Sequence, residues 1–293
     1  MQILRTVNEL RHWSRAVRST PGNTIGLVPT MGALHAGHAS LIRAARATCT
    51  HVAVSLFVNP TQFGPNEDYA RYPRSFDADC ALAEREGADV LFAPDVDELY
   101  PNGPESTFVE VPGLADRLDG ASRPGHFRGV ATVVAKLLIA AEPDRAFFGQ
   151  KDAAQVAILR RMVADLRLAA EIVDCPIVRE ADGLAISSRN VYLSPSERAQ
   201  ALMLSRAVRQ VESLVAQGER RAHMLLASAH GVFAAEPNIR IDYIVFVDGS
   251  TLLPVETAAP GTLFAVAAFV GSTRLIDNAI LNECAQEYPL IFL

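Results

Sequence analysis

Two histidines three positions apart, His35 and His38, stand inside the turn PTMGALHAGH at residues 29–38. Imidazoles at that spacing can face one anion together, and as N–H donors they stabilise charge developing on a phosphorus centre. Gly32 and Gly37 let backbone approach a ligand closely. An apolar repeat of helical period begins at His38, so the pair stands at or near a helix N-terminus, where open amides and the helix dipole favour a phosphate. Two other readings of the pair stay open at this point. One is a pair of metal ligands, although no carboxylate or cysteine stands beside it at ligand spacing. The other is a glycine-rich turn with incidental surface histidines.

Four further segments carry groups suited to the same chemistry. FFGQKD (147–152) ends a short apolar run and places Lys151, a compact cation, before a helical pattern. Asp152 could cap that helix and hold the lysine, or the pair could be a helix cap with a surface lysine. DGLAISSRN (182–190) offers Ser187, Ser188 and Arg189 as donors for a polyphosphate. FVNPTQFGPNEDYARYPR (57–74) puts the uncharged amides of Asn59 and Gln62 just past an apolar run, and adds the Tyr72 hydroxyl; such groups suit hydroxyls and carboxylates. SRPGHFRGVATVV (122–134) gathers Arg123, His126 and Arg128 ahead of an apolar helix, either as a solvated cap or as the wall of an anion pocket.

The elements that position these segments follow an alternating rhythm. Residues 24–29 (TIGLVP), 51–58 and 89–93 read as buried strands, with helices at 38–48 and 75–86 between them. The rhythm resumes with an apolar helix at 129–141, a strand at 145–148, a helix at 153–166 and a strand at 171–175. Strands alternating with helices predict a Rossmann-like, doubly wound parallel sheet. Such sheets bind ligands beyond the carboxyl ends of their strands, where all the donor-rich turns fall. From Ser194 the texture changes. A helix of about 20 residues opens at Pro195, a second covers 221–235, and strands follow at 240–247 and 262–270, which predicts a smaller α+β unit. The expected domains are 1–180 and 181–293, with the change of texture falling within 178–193.

Bulk properties exclude several classes. A net charge of −6 argues against a broad nucleic-acid-binding face. No run of about 18 uncharged apolar residues is present to span a membrane. Residues 1–13, MQILRTVNELRHW, lack the apolar core of a signal peptide. Cys49, Cys80, Cys175 and Cys284 are scattered and read as thiols of a reducing compartment, so the cytoplasm is the expected location.

In order along residues 24–200, PTMGALHAGH, FVNPTQF, Tyr72-Pro73-Arg74, RPGHFRGV, FFGQKD and READGLAISSRNVYLS resemble the pantoate–β-alanine ligase family. HAGH is similar to the HxGH signature of the wider nucleotidyltransferase superfamily. The resemblance implies an ATP- and Mg²⁺-dependent ligase that makes a pantoyl-adenylate, releases pyrophosphate, and passes the acyl group to β-alanine to give pantothenate and AMP. Carried over by motif, His35 and His38 contact the ATP phosphates, His38 as the acid-type catalytic residue. The backbone of Met31, Gly32, Ala33, Leu34, His35, Ala36 and Gly37 cradles the nucleotide. Gly149, Gln150, Lys151, Asp152 and Val178 line the ATP site. Ile186, Ser187, Ser188 and Arg189 take the place of a mobile phosphate loop, with Lys151 and those donors on the phosphates. Gln62 and Gln155 grip pantoate, Gln62 also near β-alanine, and Arg123 and His126 belong to the same region. A homodimer with a Rossmann-like N-terminal domain and a smaller C-terminal lid is implied.

The chain departs from the family pattern at three positions. Gln150 replaces a usual Glu, and Ala153 and Ala154 replace a usual aromatic and Gln. The first change removes a charge beside Lys151, and the other two make that helix start less bulky. The chemistry suits the donors independently of the resemblance. A carboxylate attacking phosphorus is already ionised at pH 7 and needs no general base. It requires positioning and neutralised phosphate charge.

Overall fold

The computed structural model describes residues 1–65, 67–104 and 106–281. The chain enters through β1 (Gln2–Leu4) and α1 (Val7–Arg18). α1 starts where Thr6 and Glu9 close a capping box. Thr6 Oγ1 accepts from the Glu9 N–H at 3.2 Å, and Glu9 Oε2 accepts from the Thr6 N–H at 2.9 Å. There follow β2 (Ile25–Thr30), α2 (Ala36–Thr48), β3 (His51–Leu56), α3 (Phe76–Arg85), β4 (Val90–Phe92), the short α4 (Val96–Leu99) and α5 (Asp119–Ser122), then α6 (His126–Ala141), β5 (Arg145–Gly149), α7 (Ala153–Asp165) and β6 (Glu171–Cys175).

β1 to β6 form one sheet in the order β1-β4-β3-β2-β5-β6, and every pairing in it is parallel. β2 sits in its interior and reads IGLVPT, apolar on both faces as a strand covered from both sides must be. On one face Val28, Val52, Val54, Leu91 and Phe147 pack against Leu41, Ile42 and Ala45 of α2 and Ala83 of α3. α6 is buried along most of its length, which explains why its sequence is apolar nearly all round. From β2 the chain winds outward through β3 to β4, then returns across the sheet to β5 on the other side of β2. The winding therefore reverses between β2 and β5, and the carboxyl ends of these two strands flank the crevice such sheets use for ligands.

After β6 come α8 (Pro195–Ala216), α9 (Ala222–Phe233), β7 (Ile239–Asp248), β8 (Thr262–Val270) and β9 (Thr273–Ile280). β7, β8 and β9 form a separate antiparallel sheet with β8 in the middle. α8 opens on a second capping box, Ser194 with Glu197, with Pro195 in its first turn, where a missing N–H costs nothing. Leu204, Val208 and Val211 of α8, Leu225 and Phe233 of α9, and Phe246, Phe264, Val266 and Leu275 of the sheet close one core. By internal contacts the chain divides into Met1–Gln150 with Ile158–Pro176, and Lys151–Ala157 with residues from Ile177 onward.

The predicted doubly wound parallel sheet and small α+β unit are both present. Several boundaries move. α2 begins at Ala36, which places both histidines in its opening turn, and α6 begins at His126. Besides the one-turn α4 and α5, three elements have no counterpart in the sequence reading. β1 is a three-residue edge strand, too short for a period. α1 hides in a polar stretch. β9 (TRLIDNAI) carries Asp277 and Asn278, a pair that reads as a turn yet is buried. Cys49, Cys80 and Cys175 are free thiols, and Cys284 lies outside the described residues.

Candidate active site

The turn between β2 and α2 is built on two consecutive left-handed residues, Gly32 at φ +90° and Ala33 at φ +50°. Only glycine adopts the first freely, and a Cβ there would also stand 3.1 Å from Asp79 Oδ2 and 3.2 Å from Leu56 Cδ1. Asp79, on α3 and 2% exposed, holds the turn in this shape. Its carboxylate accepts from the Ala33 N–H at 3.0 Å, the Leu34 N–H at 2.7 Å and the Ser75 hydroxyl at 3.1 Å. Gly32 N–H donates to Thr30 Oγ1 at 3.3 Å. The turn thus reaches α2 with its amides already engaged.

α2 is then capped by its own histidines. His35 is the N-cap; its Nδ1 accepts from the Gly37 N–H at 3.2 Å, while the His35 N–H donates to His38 Nδ1 at 3.3 Å. This is a capping box in which two imidazoles replace the usual hydroxyl and carboxylate. The rings lie with centroids 4.1 Å apart at 31°. A nitrogen that accepts a backbone N–H carries no proton, so in each neutral ring the proton resides on Nε2. The pair therefore presents two N–H donors. Binding a metal through Nε2 would move the proton to Nδ1, against a backbone N–H, so this hydrogen-bond polarity favours an anion over a metal ion. It also changes the expected role of residues 31–37. The amides of Gly32, Ala33, Leu34, His35 and Gly37 have protein acceptors, so the turn offers shape and ring donors instead of a nest of open amides.

Gln62 stands at the end of a short 3₁₀ turn, Pro60–Gln62, after β3. Its Oε1 accepts from Asn59 Nδ2 at 3.1 Å, and its Nε2 donates to Met31 Sδ at 2.8 Å, which ties this turn to the histidine turn. A thioether is a weak acceptor, so it orients the amide without holding it strongly. Asn59 is 1% exposed. Its Nδ2 also donates to Gly129 O at 3.1 Å, and its Oδ1 accepts from the Tyr100 hydroxyl at 2.8 Å and the Thr61 hydroxyl at 3.0 Å. The Asn59 amide is thus engaged within the fold on both its atoms, and it positions Gln62. Tyr72 is buried, its ring edge-on to Phe63 at 5.8 Å.

Arg123 and His126, read either as a cap or as a pocket wall, form a relay onto Gln62. Arg123 pairs with Glu67, Nε to Oε1 at 2.7 Å and Nη2 to Oε2 at 2.5 Å. Its Nη1 donates to His126 Nε2 at 3.0 Å, which leaves His126 Nδ1–H to donate to Gln62 O at 2.8 Å. Burial, and then the Arg123 charge, push His126 down to about 4, so it is a neutral donor at neutral pH. α6 approaches the same turn without a side chain between them. A Cβ on Gly129 would lie 2.3 Å from Thr61 O and 2.7 Å from Gln62 N.

In the second unit, Lys151 and Asp152 lie in a 3₁₀ turn, Gln150–Asp152, whose first residue belongs to the first unit. Lys151 is half-buried, Asp152 exposed and Gln155 half-buried on α7. Ala154 is buried and Ala153 half-buried, so the second of these two departures faces the core. Residues 178–186 form a tight hairpin. Ile186 N–H donates to Val178 O at 3.0 Å, Glu180 N–H to Leu184 O at 2.8 Å, and Gly183, at φ +95°, makes the turn. Ser187 then caps a 3₁₀ turn, Ser188–Tyr192, accepting from the Arg189 N–H at 3.3 Å. Ile186, Ser187, Ser188 and Arg189 are half-buried and Val178 is buried. Sequence spacing missed Asp79, Glu67 and Tyr100, which touch motif residues from distant segments, and Thr61, which bonds Asn59 from within its own motif; the one visible signal was the acid at Asp79 within an otherwise apolar helix face.

The family described as pantoate-β-alanine ligase matches residues 2–280. The chain is 59% identical over 292 residues to the pantothenate synthetase of Acidobacterium capsulatum, covering 99% of this chain and 97% of that one. It is 53% identical over 286 residues to the pantothenate synthetase of Koribacter versatilis, covering 98% of each. Among solved structures, pantothenate synthetase from Thermus thermophilus superposes with a TM-score of 0.89 at 46% identity, over 96% of this chain and 100% of that one. Pantoate-β-alanine ligase from Francisella tularensis, in complex with β-γ ATP and β-alanine, superposes with a TM-score of 0.78 at 33% identity, over 96% and 97%.

This geometry carries three expected outcomes. Asp79→Ala strips the acceptor from two amides and lowers stability by roughly 2–5 kcal/mol in urea unfolding. Gly129→Ala forces α6 away from the Gln62 turn and costs about 1–3 kcal/mol by the same measurement. His126 sets an acid limit. Its folded pKa of about 4 lies below the ordinary 6.5, so above 6.5 it is neutral in both states and adds no pH dependence. As pH falls from 6.5 to 4, the unfolded chain takes up a proton that the folded chain refuses, and stability declines by on the order of 3 kcal/mol. In His126→Asn, which keeps a donor near the Nδ1 position, unfolding free energy measured against pH lacks that part of the slope.

Proposed function

The chain belongs to the pantoate–β-alanine ligase family, and from that premise we infer that the paired-histidine turn and the Gln62 turn are the phosphate and acid sides of its active site. The enzyme condenses pantoate with β-alanine at the expense of ATP. The pantoate carboxylate attacks the α-phosphorus, pyrophosphate leaves, and the pantoyl-adenylate gives its acyl group to the β-alanine amine, releasing AMP. The first step gathers negative charge on phosphate oxygens, and the second needs an acyl carbon held against an amine with water kept out.

In this reading His35 and His38 donate their Nε2–H groups to the triphosphate. The single observation that supports it is their capping geometry, since two backbone N–H groups hold both Nδ1 atoms as acceptors and make Nε2 the donor of each ring. Donors fixed before the substrate arrives need no reorganisation when charge develops. Gln62 takes pantoate through its amide, backed by Asn59 below and His126 behind. Its link to Met31 keeps the acid side in register with the phosphate side. Lys151, Ser187, Ser188 and Arg189 are proposed for the phosphates. Met31–Gly37, Gly149, Gln150, Asp152, Val178 and Ile186 are proposed for the rest of the nucleotide, and Gln155 for pantoate. Mg²⁺ fits as the partner of ATP, held chiefly by phosphate oxygens and water because the proposed set is mostly N–H and O–H donors, with Asp152 as its carboxylate. It supplies charge neutralisation on the triphosphate. The homodimer, the cytoplasmic location and the lid role of the smaller domain belong to the same proposal.

The test is a two-stage assay. With ATP, Mg²⁺ and pantoate, pyrophosphate appears in proportion to pantoate; AMP follows only when β-alanine is added. Pyrophosphate formed without pantoate would sink the ligase assignment. Replacing His38 separates its two nitrogens. His38→Gln keeps a donor near Nε2, whereas His38→Asn keeps only an acceptor near Nδ1. Adenylation falls about 10²- to 10³-fold in His38→Ala, and His38→Gln retains more of it than His38→Asn. The opposite order would assign the residue to helix capping alone.

A further inference from the structure

β9 places two buried polar residues side by side, Asp277 at 2% and Asn278 at 4% exposure. Consecutive strand residues point to opposite faces of a sheet, so this dipeptide reaches two different neighbours. Both neighbours are segments that carry proposed phosphate donors.

Asp277 holds Arg179 in a two-pronged pair, Nη1 to Oδ2 at 2.6 Å and Nη2 to Oδ1 at 2.9 Å. Arg179 opens the hairpin that leads into Ser187–Arg189, and its Nη1 also donates to Gly183 O at 3.2 Å, at the hairpin's turn. The Arg179 side chain is 18% exposed and that of Asp277 2%, so the pair is largely shielded from water and its geometry is stiff. The far side of the hairpin is fastened separately. Asn190 Nδ2 donates to Glu180 Oε1 at 2.9 Å and to Ala185 O at 3.1 Å. Asn278 Nδ2 donates to Lys151 O at 2.8 Å, fixing the backbone of the other donor segment. The Asn278 backbone N–H donates to Asp277 Oδ1 at 2.8 Å, which steadies the Asp277 carboxylate against its own strand.

We propose that Asp277 and Asn278 are positioning residues for adenylation: through Arg179 and through the Lys151 carbonyl, one step of β9 sets the spacing between the Lys151 segment and the Ser187–Arg189 turn. Neither residue touches substrate. Their effect passes entirely through groups that the proposed function puts on the triphosphate, and the inference rests on that reading. A strand is the right support for the task, because its neighbours in β8 fix Asp277 opposite Val266 and Asn278 opposite Ala265. A slip of one residue would turn each side chain to the opposite face and lose both contacts.

The experiment uses the full chain and follows pyrophosphate release from ATP and pantoate, with thermal unfolding measured alongside. Removing Asp277 outright would strip the buried Arg179 guanidinium of its two-pronged carboxylate and leave it only the Gly183 carbonyl and the charge of Glu212, a cost to folding, so the variants are Asn278→Ala and Arg179→Lys. The second keeps a positive charge for Asp277 but loses the fork and its reach to Gly183. The expected result in each is an adenylation kcat/KM for ATP lowered about ten- to hundredfold, with the KM for pantoate unchanged. Parent values for ATP in both variants would overturn the proposal. So would a loss explained by fewer folded molecules with the ATP parameters of the folded fraction intact. Lys151→Ala is run in parallel. If it too used ATP normally, the placement of Lys151 on the triphosphate would fall, and this proposal with it. If Lys151→Ala were impaired and the two positioning variants were not, the positioning proposal alone would fall.

Discussion

Two backbone N–H groups converging on one buried carboxylate hold the paired-histidine turn of this molecule in shape. Asp79 takes the amides of Ala33 and Leu34 at the point where the backbone turns left-handed. That conformation is costly for alanine, and the chain adopts it because a charge-assisted pair of hydrogen bonds offsets the strain. The geometry downstream depends on it. The turn sets the entry angle of α2, the entry angle lets two histidines cap the helix, and the capping fixes which ring nitrogen carries the proton. The Met31 thioether, carried by the same turn, meets Gln62 and ties the second turn to the first.

Much of the polar chemistry suggested by the motifs is directed inward. Asn59, Arg123 and His126, groups suited to a substrate by type, each hydrogen-bond to Gln62. A neutral His126 between a guanidinium and a carbonyl is a relay of orientation, not of protons. This arrangement holds the Gln62 turn rigid, the condition under which electrostatic stabilisation is worth most.

The parallel sheet was legible because buried strands and amphipathic helices leave opposite periods in the sequence, and strands such as IGLVPT are apolar on both faces. The motif residues were legible because glycine, histidine and lysine cluster at strand ends. β9 was not, since Asp277 and Asn278 mimic a turn until their buried partners are seen. Asp79 was not, because its contacts lie some 45 residues away in sequence and no local pattern records a tertiary hydrogen bond. Nor could spacing show that Gly129 is a glycine because another backbone occupies the place of its side chain.

Asn59 is followed by Pro60, and this order bears on chemical ageing. An asparagine deamidates when the backbone nitrogen of the next residue attacks its side-chain carbonyl and closes a five-membered imide. Proline has no N–H with which to do so. The residue whose Nδ2 faces Gly129 O and Gln62 Oε1 is therefore shielded from the imide route, the fastest by which an asparagine becomes an acid. An aspartate there would set a carboxylate oxygen against two other oxygens, so the durability of the Gln62 turn over the protein's lifetime is written into the identity of its neighbour.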